Sequence, residues 1–242
     1  MSHIIEVQDL VKEFGTVKAV DGLSFCVEEG TITGLLGPNG AGKTTTIQML
    51  LDLITPTSGT IRIFGKELSK NREKVLQMMN FSSPYVSLPG NLSVLENLLT
   101  FGRLYGVPNI RGKIESLADF FEIREFLTKM TSNLSTGQLT RLNLTKALLN
   151  DPKLLLLDEP TASLDPDIAD RTRHMLQRIK RERGVTILYT SHNMEEVEEI
   201  CDRVIFIQHG RLKDKGTPSE LVKKYGHKDL NDVFLHIARN TS

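Results

Sequence analysis

Residues 37–44 combine glycines, a lysine and a threonine at a spacing that can hold phosphate. They read Gly37, Pro38, Asn39, Gly40, Ala41, Gly42, Lys43 and Thr44, are followed by Thr45, and fit G-x-x-x-x-G-K-[ST] at every fixed position. Backbone N–H groups on such a glycine-rich turn form a concave nest for anionic oxygens. Lys43 can reach terminal phosphates, and the Thr44 hydroxyl can coordinate Mg2+. A chance turn can carry the same letters, so the flanking elements decide between the two interpretations.

The segments on either side of this loop favour phosphate binding. The run from Thr31 to Leu36 is apolar and rich in β-branched residues, as expected for a buried strand. Behind the loop, Ile47, Leu50, Leu51 and Ile54 recur at helical spacing. The N-terminus of that helix would point at the phosphates. The sequence therefore predicts a site for a nucleoside triphosphate.

Two acids follow a second apolar run, Leu154 to Leu157. At the tip of a parallel strand, Asp158 can reach a metal ion held by Thr44. Glu159 is placed to polarise a water molecule in line with the terminal phosphate. Solvated acids at the end of a buried strand would explain the pair alone. Solvation alone does not explain why this pair of acids occurs together with loop 37–44.

A third segment, Leu134 to Gln138, allows two interpretations on local physics. Ser135 is a good N-cap, and Gln138 stands three positions further on, as in a capping box. A well-capped helix is therefore sufficient to explain it. Alternatively, the hydroxyl, the free N–H groups and the positive end of the helix dipole bind a phosphate. The segment by itself does not decide between them.

The order of apolar runs predicts an α/β protein with a mixed sheet. Strands are expected at Ile4–Val7, Leu23–Val27, Thr31–Leu36, Ile61–Phe64, Leu154–Leu157, Thr186–Tyr189 and Val204–Gln208. Helices are expected at Ile168–Arg183 and Met194–Cys201, which gives a β-α-β pattern in the second half. Closely spaced strands and Gly/Asp turns in the first third favour an antiparallel subdomain.

Strand signals are absent between about residues 88 and 150, where helical patterns replace them. The expected helices are Val94–Tyr105, Lys113–Phe121, Glu125–Met130 and Ser135–Leu149. We therefore expect one domain over residues 1–242, with an α/β core at 1–87 and 151–225. A helical subdomain is inserted at 88–150, and a C-terminal tail occupies 226–242.

Composition narrows the classes of partner and compartment. The 242 residues contain 30 Lys+Arg and 30 Asp+Glu, so no overall field would recruit nucleic acid. Cys26 and Cys201 lack the spacing of a disulfide framework or zinc site and are expected to be buried thiols in a reducing compartment. No apolar run approaches the roughly 18 residues of a membrane span. The expected location is cytoplasmic.

Taken together, these segments resemble the ATP-binding subunit of an ABC transporter. Gly37–Thr44 resembles Walker A, and Leu154–Glu159 resembles Walker B with its catalytic glutamate. Leu134–Gln138 is similar to the signature L-S-G-G-Q, with Thr136 in place of its first glycine and with Ser135, Gly137 and Gln138 retained. The similarity covers essentially the whole chain, with the motifs in the order of the family.

Three shorter matches accompany them. Ser163-Leu164-Asp165 is similar to the D-loop, and His192 after Thr190-Ser191 resembles the switch histidine. Phe14 stands where the family places an aromatic residue that stacks on adenine. The usual alternative for a lone histidine is a surface or structural role, and for an aromatic residue near a strand it is the core. The functional roles are therefore what the resemblance implies.

The resemblance implies a P-loop NTPase fold and a mechanism shared by two chains. ATP and Mg2+ would lie between the Walker A of one protomer and the signature of another, packed head to tail as a homodimer or heterodimer. Residues 135–138 would cap the terminal phosphate of the partner's ATP, and His192 would help position the attacking water. Residues 216–221 and 230–235 resemble exporter subunits of the ABC-2 type, which dock on a separate membrane permease at the cytoplasmic face of the membrane.

One position departs from the family pattern. A glutamine that contacts Mg2+ usually follows the strand before the helical insertion, and alignment of Leu88–Val94 on the pattern places Pro84 there. Proline offers no side-chain ligand. We expect either water or the Ser83 hydroxyl to take the sixth metal position, and a stiffer coupling loop.

Export powered by ATP hydrolysis is the leading interpretation of function. A soluble ATPase of the same superfamily, acting in assembly or regulation without transport, is the alternative. A nucleotide-gated binding module with negligible turnover is a third interpretation. The pairing of Asp158 with Glu159 argues against that module, and the missing glutamine argues for it.

Overall fold

The computed structural model describes residues 2–84, 87–162 and 164–239. Its strands are β1 (His3–Phe14), β2 (Val17–Glu28), β3 (Ile32–Leu36), β4 (Ser58–Ile63), β5 (Lys66–Glu67), β6 (Met79–Ser82), β7 (Leu154–Asp158), β8 (Thr186–Thr190), β9 (Arg203–Gln208) and β10 (Arg211–Gly216). Its α-helices are α1 (Lys43–Leu50), α2 (Arg72–Leu76), α3 (Val94–Leu104), α4 (Ile110–Phe120), α5 (Thr136–Ala147), α6 (Pro166–Arg183), α7 (Met194–Ile200), α8 (Pro218–Tyr225) and α9 (Leu230–Arg239).

The first sheet is four-stranded and antiparallel, with the order β2-β1-β4-β5. Alternate residues of its long strands, such as Ile5, Val7 and Leu23, are buried and share one apolar cluster with Ile47 and Leu50 of α1. The N-terminal antiparallel subdomain expected from the sequence is confirmed. β1 runs seven residues beyond the predicted Val7 and ends at Phe14.

The predicted burial of both cysteines is half right. Cys201 is buried, and burial raises the pKa of its thiol. Cys26 is only partly buried. It pairs with exposed Glu6 in the β1–β2 register and so lies on the polar face of the antiparallel sheet. Its apolar sequence neighbours point to the other face because side chains alternate along a strand.

The second sheet is six-stranded, with the order β10-β9-β3-β8-β7-β6. Its strands are parallel except for β10, an antiparallel edge strand. β3 is buried along its whole length, and so are residues 154–157 of β7. Continuous burial of this kind is typical of parallel strands that are covered on both faces. The expected mixed sheet of an α/β fold is confirmed.

The carboxyl ends of the parallel strands meet at one edge of this sheet. Leu35 pairs with Thr190, Asp158 pairs with Thr190 from the other side, and Ser82 pairs with Leu157. Ligands of open α/β sheets bind outside this edge. The loop after β3, the acids that end β7 and the residues after β8 are therefore brought together by the parallel register.

The region between β6 and β7 is mainly helical, as expected. α3 packs on α4 and α5, and the three helices share a core that includes Leu98, Leu117, Phe121 and Leu142. Within the described residues, a single bridge between Ser93 and Met130 is its only β pairing.

The predicted helix Glu125–Met130 is wrong. Only a short 3-10 turn, Arg124–Phe126, forms there. The carbonyls of Leu127 and Lys129 accept the N–H groups of Leu95 and Val94 at 2.8 Å and 3.0 Å, so they satisfy the first turn of α3 and are not available for a local helix. A tertiary partner has overridden the local helical propensity.

The chain closes with α8 and α9, and α9 packs against α7 and α8. Leu230, Val233 and Ile237 form the buried face of α9, at the i, i+3 and i+7 spacing of an amphipathic helix. Glu198 of α7 accepts the Leu230 N–H at 3.3 Å and so helps to cap α9. In the described parts of the chain, no helix has the length and apolarity that a bilayer crossing requires.

Candidate active site

The loop between β3 and α1 has a backbone that only glycine permits at two positions. Gly42 has φ +101°, in the left-handed region, and a side chain there would meet the Ala19 carbonyl. A Cβ on Gly37 would lie 2.2 Å from the carbonyl oxygen of Ile207 in β9. The two fixed glycines of the motif are thus required by geometry as well as by any ligand. α1 begins at Lys43, so its N-terminus faces the loop.

Lys43 is buried beneath this loop and is held by it. Its ammonium donates to the carbonyl oxygens of Gly37 and Pro38, at 2.7 Å and 3.2 Å. Burial lowers the pKa of Lys43, and the nearby carboxylates of Glu159 and Asp158 oppose that shift. The ammonium therefore lies between the loop and the two acids. A terminal phosphate bound in the loop would find it there.

Thr190 joins the two acids through hydrogen bonds that the sequence did not indicate. Its hydroxyl donates to Asp158 Oδ1 at 2.6 Å and accepts the Glu159 N–H at 3.0 Å. The Glu159 N–H also donates to the Thr190 carbonyl at 3.1 Å. Thr190 is fully buried, so these bonds are shielded from water. The sequence offered no signal beyond its position next to Ser191 and His192.

Glu159 and His192 lie together at the open side of this group. His192 Nδ1 is 3.3 Å from Glu159 Oε2, and the imidazole side chain is 65% exposed, against 20% for the carboxylate. Glu159 has φ +49°, a left-handed conformation that is uncommon for a non-glycine residue. The sequence predicted both residues, and the structure brings them together.

The residues proposed for Mg2+ have suitable chemistry. Thr44 is exposed in the first turn of α1, and α1 packs against β7, which ends in Asp158. No cluster of three or more His, Cys, Asp or Glu residues that could hold a metal occurs among residues 2–84, 87–162 and 164–239. Mg2+ in nucleotide sites takes only one or two protein oxygens and completes its shell with phosphate and water. A hydroxyl and a carboxylate therefore fit Mg2+ together with a nucleotide.

The Ser135 end of α5 forms the predicted capping box. Ser135 Oγ accepts the Gln138 N–H at 3.3 Å, and the Gln138 side chain accepts the Ser135 N–H at 3.2 Å. Ser135 and Thr136 are exposed, and Gly137 packs on Ile168 of α6. No hydrogen bond or ion pair within the described ranges joins residues 135–138 to Lys43, Asp158, Glu159 or His192. Within one chain, therefore, the polar groups of this helix end make no bond to the residues of the phosphate site that the structure describes.

Asp165 and Phe14 have the exposure that an external partner would need. Asp165 is the N-cap residue of α6, but its carboxylate does not cap the helix and is exposed. Ser163, the first residue of the same motif, lies outside the described residues. Phe14 ends β1 and is 49% exposed, which excludes a core role. The Lys12 ammonium lies 5.0 Å from the Phe14 ring centroid and covers that ring.

Pro84 is exposed, and the preceding Ser83 is buried. Both line a cleft together with Thr136, Thr140 and Asn143 of the α5 region. Because Ser82 pairs with Leu157, Ser83 is the residue of this strand end that lies level with Asp158. Its sequence position therefore places it beside the predicted metal ligand.

A glycine-rich loop that runs from a parallel strand into a helix, with a buried lysine and facing acids, defines the class of P-loop nucleoside triphosphatases. The sequence profile of the family described as "ABC transporter" matches residues 20–162, more than half of the chain.

Curated relatives share most of the chain. Identity is 40% over 233 residues with the bacitracin transport ATP-binding protein BcrA of Bacillus licheniformis, covering 95% of this chain and 74% of that one. It is 39% over 236 residues with the Nod factor export ATP-binding protein I of Paraburkholderia xenovorans, covering 95% of this chain and 76% of that one.

Solved structures of ABC transporter subunits have the same fold as this chain. An ATP-binding subunit of an ABC transporter superimposes with a TM-score of 0.84 at 26% identity, covering 98% of this chain and 100% of that one. CbiO1 of Clostridium perfringens, part of the ABC transporter complex cbiONQ, has a TM-score of 0.84 at 29% identity, covering 93% and 92%. The chain belongs to the ABC transporter family. It is an ATP-binding subunit with ATPase activity.

Proposed function

We propose that this chain hydrolyses ATP to power export through a separate membrane permease of the ABC-2 type. The observation that supports this most is the division of the site. Lys43, the acids and His192 share one edge of the sheet, whereas the Ser135 end of α5 caps only its own helix. A second protomer, packed head to tail, would bring the two groups together around ATP. The relatives named for transport and export favour this function over a soluble ATPase without transport.

Each residue has a role that its position supports. Residues 37–45 bind the phosphates, with the Lys43 ammonium among them, and Phe14 stacks on the base. Thr44 and Asp158 hold Mg2+, which would neutralise phosphate charge. Glu159 is the general base for the attacking water, and His192, 3.3 Å from it, positions the terminal phosphate and that water. Asp165 and residues 135–138 act across the interface with the partner protomer.

We place the chain at the cytoplasmic face of the membrane, bound to the permease, as a homodimer or a heterodimer. The proposed division is a core at residues 1–87 and 151–225, a helical subdomain at 88–150 and a tail at 226–242. The cleft beside Pro84 lies between the first two of these parts. A proline there would stiffen the connection between hydrolysis and the permease.

The missing glutamine calls for a substitute metal ligand. Ser83 lies level with Asp158 at the ends of neighbouring strands, which supports the Ser83 hydroxyl as this ligand. A water molecule is the other candidate. A Ser83→Ala variant separates them. A raised Mg2+ requirement of the ATPase would support the hydroxyl, and an unchanged Mg2+ dependence would leave water as the ligand.

The test of the function uses two variants and one physical separation. Lys43→Ala should abolish ATP binding or turnover. Glu159→Gln should keep ATP binding, stop hydrolysis and accumulate an ATP-bound dimer, measured by size-exclusion chromatography with light scattering. Purification from native membranes should recover a permease with the chain. Full ATPase activity in Lys43→Ala would contradict the phosphate assignment. Turnover independent of protein concentration would contradict the shared site.

A further inference from the structure

A buried carboxylate outside the residues discussed so far connects the elements around Glu159. The side chain of Glu196, in α7, is only 7% exposed. Its Oε2 accepts the Thr161 hydroxyl at 2.7 Å and the Tyr189 hydroxyl at 2.9 Å. Its Oε1 is 3.3 Å from Arg173 Nη1. Both oxygens of this carboxylate therefore have partners, and the three partners come from three different parts of the fold.

Two of these partners, Thr161 and Tyr189, lie next to residues of the site. Thr161 follows Glu159 by two residues on the same loop. Tyr189 immediately precedes Thr190, whose hydroxyl binds Asp158 and Glu159. Glu196 itself lies in the first turn of the helix that follows His192, where Asn193 accepts its N–H at 3.4 Å. The carboxylate thus joins the loop of Glu159 to the segment of His192.

The electrostatics of this cluster keep Glu196 bound to its donors. Arg173 of α6 also contacts Asp170 at 2.9 Å and Glu199 at 2.6 Å, so one guanidinium faces three carboxylates. Burial and the neighbouring Glu196 carboxylate both raise the pKa of Tyr189, so its phenol stays protonated and donates. The residues around Glu196 are therefore arranged as donors to a charged acceptor.

A purely structural explanation of this arrangement is weak. Removing a carboxylate from water is costly, and well-packed apolar residues of similar volume often give equal or greater stability than a buried ion pair. Buried polar networks instead fix one arrangement of the elements that they join. Here those elements carry Glu159 and His192, which lie 3.3 Å apart. His192 is largely exposed, so its position depends on the segment that Glu196 holds.

We propose that Glu196 is a positioning residue for ATP hydrolysis: its carboxylate, through Thr161 and Tyr189, fixes the loop of Glu159 relative to His192. The inference rests on the proposed role of Glu159 as general base. Small errors in the placement of a base lower the rate strongly, by up to about a hundredfold for an ångström. In the proposed function, nucleotide binding depends on loop 37–45 and on Phe14, whereas Glu196 contacts Thr161 and Tyr189.

The sharpest test changes Thr161, because valine has nearly the same shape and lacks the hydroxyl. Thr161→Val should lower kcat at least tenfold and leave KM for ATP and the Kd of a fluorescent ATP analogue within twofold. Thr161→Ser, which restores a hydroxyl, should recover kcat to within twofold of the parent chain. Glu196→Gln should also lower kcat without weakening nucleotide binding. Glu195→Gln, an exposed neighbour in the same helix, is the matched control and should change neither quantity.

The outcomes separate this inference from the proposed function. Thermal unfolding of each variant shows whether it is folded, and Thr161→Val remains informative if Glu196→Gln does not fold. A folded Thr161→Val chain with full kcat would overturn the positioning role, and so would equal losses in kcat and nucleotide affinity. An inactive Glu159→Gln chain beside a fully active Thr161→Val chain would refute only the positioning role. An active Glu159→Gln chain would instead refute the proposed base.

Discussion

Removal of the Thr190 hydroxyl should raise the Mg2+ requirement of the ATPase. The hydroxyl donates to Asp158 Oδ1 at 2.6 Å, a short bond to an ionised acceptor, and such bonds contribute about 1.5–3 kcal/mol. Thr190→Val keeps the volume and leaves the Asp158 carboxylate without this donor. A partner that orients a metal ligand typically changes metal affinity by about 10–100-fold. We therefore expect the half-saturating Mg2+ concentration to rise by about that factor.

The assay is a Mg2+ titration of ATPase activity at saturating ATP, with binding of an ATP analogue measured separately in EDTA. Nucleotide binding without metal should stay within twofold because the Thr190 hydroxyl bonds to Asp158 and to the Glu159 N–H, and not to the phosphate-binding loop. Thr186→Val provides the control, since Thr186 is also fully buried in β8 and its hydroxyl accepts the Gly30 N–H at 2.9 Å. Its loss should cost about 1 kcal/mol of unfolding free energy and leave the Mg2+ dependence unchanged.

Two results would refute this reasoning. One is an unchanged Mg2+ dependence in a folded Thr190→Val chain, which would mean that Asp158 needs no orientation by Thr190. The other is an equal shift in Thr186→Val, which would attribute the effect to loss of stability. The control lies at the opposite end of the same strand, so a shared effect could not arise at the metal site.

Three further predictions concern other parts of the chain. Phe14→Ala should weaken ATP binding by about 1–3 kcal/mol, measured by equilibrium titration, whereas Phe14→Tyr should retain affinity. Lys146→Met should raise the thermal midpoint at pH 7, because burial lowers the pKa of Lys146 in the native state. The native chain then loses this proton before the unfolded chain does, so wild-type stability rises with pH and the gain should shrink toward pH 10.5. Ser135→Asp should keep the thermal midpoint, as a good N-cap, and lose most ATPase activity; an active variant would count against the shared site.

The motif residues could be predicted because their local patterns depend on short-range geometry. The strand before Gly37, the helix from Lys43 and the acids after β7 follow from apolar runs and turn chemistry. The parallel sheet then determines that these ends meet. The proximity of Glu159 and His192 at 3.3 Å follows from adjacent strands and was within reach of the sequence.

The hydrogen bonds that hold this arrangement could not be predicted from the sequence. Thr190 and Thr161 look like ordinary residues of a strand and a loop, and their hydroxyl partners are distant in sequence. Glu196 stands in an acidic run that is typical of a solvated helix face, yet it is buried because Tyr189 and Arg173 lie beneath it. The predicted helix Glu125–Met130 was wrong for the same reason, since the carbonyls of Leu127 and Lys129 accept N–H groups of α3. Tertiary partners decide these cases, and a single sequence does not reveal them.

Ser135 shows why a structural and a functional interpretation of one residue need not compete. A serine hydroxyl has one donor proton and two acceptor lone pairs. The capping box uses an acceptor lone pair, through the Gln138 N–H at 3.3 Å, and leaves the proton for an outside oxygen. The same cap leaves other N–H groups of the first turn facing solvent, with the positive end of the helix dipole behind them. Aspartate caps a helix as well as serine does, but it brings a negative charge and no donor proton. Ser135→Asp should therefore keep the helix cap and repel the phosphate of ATP bound to a second protomer.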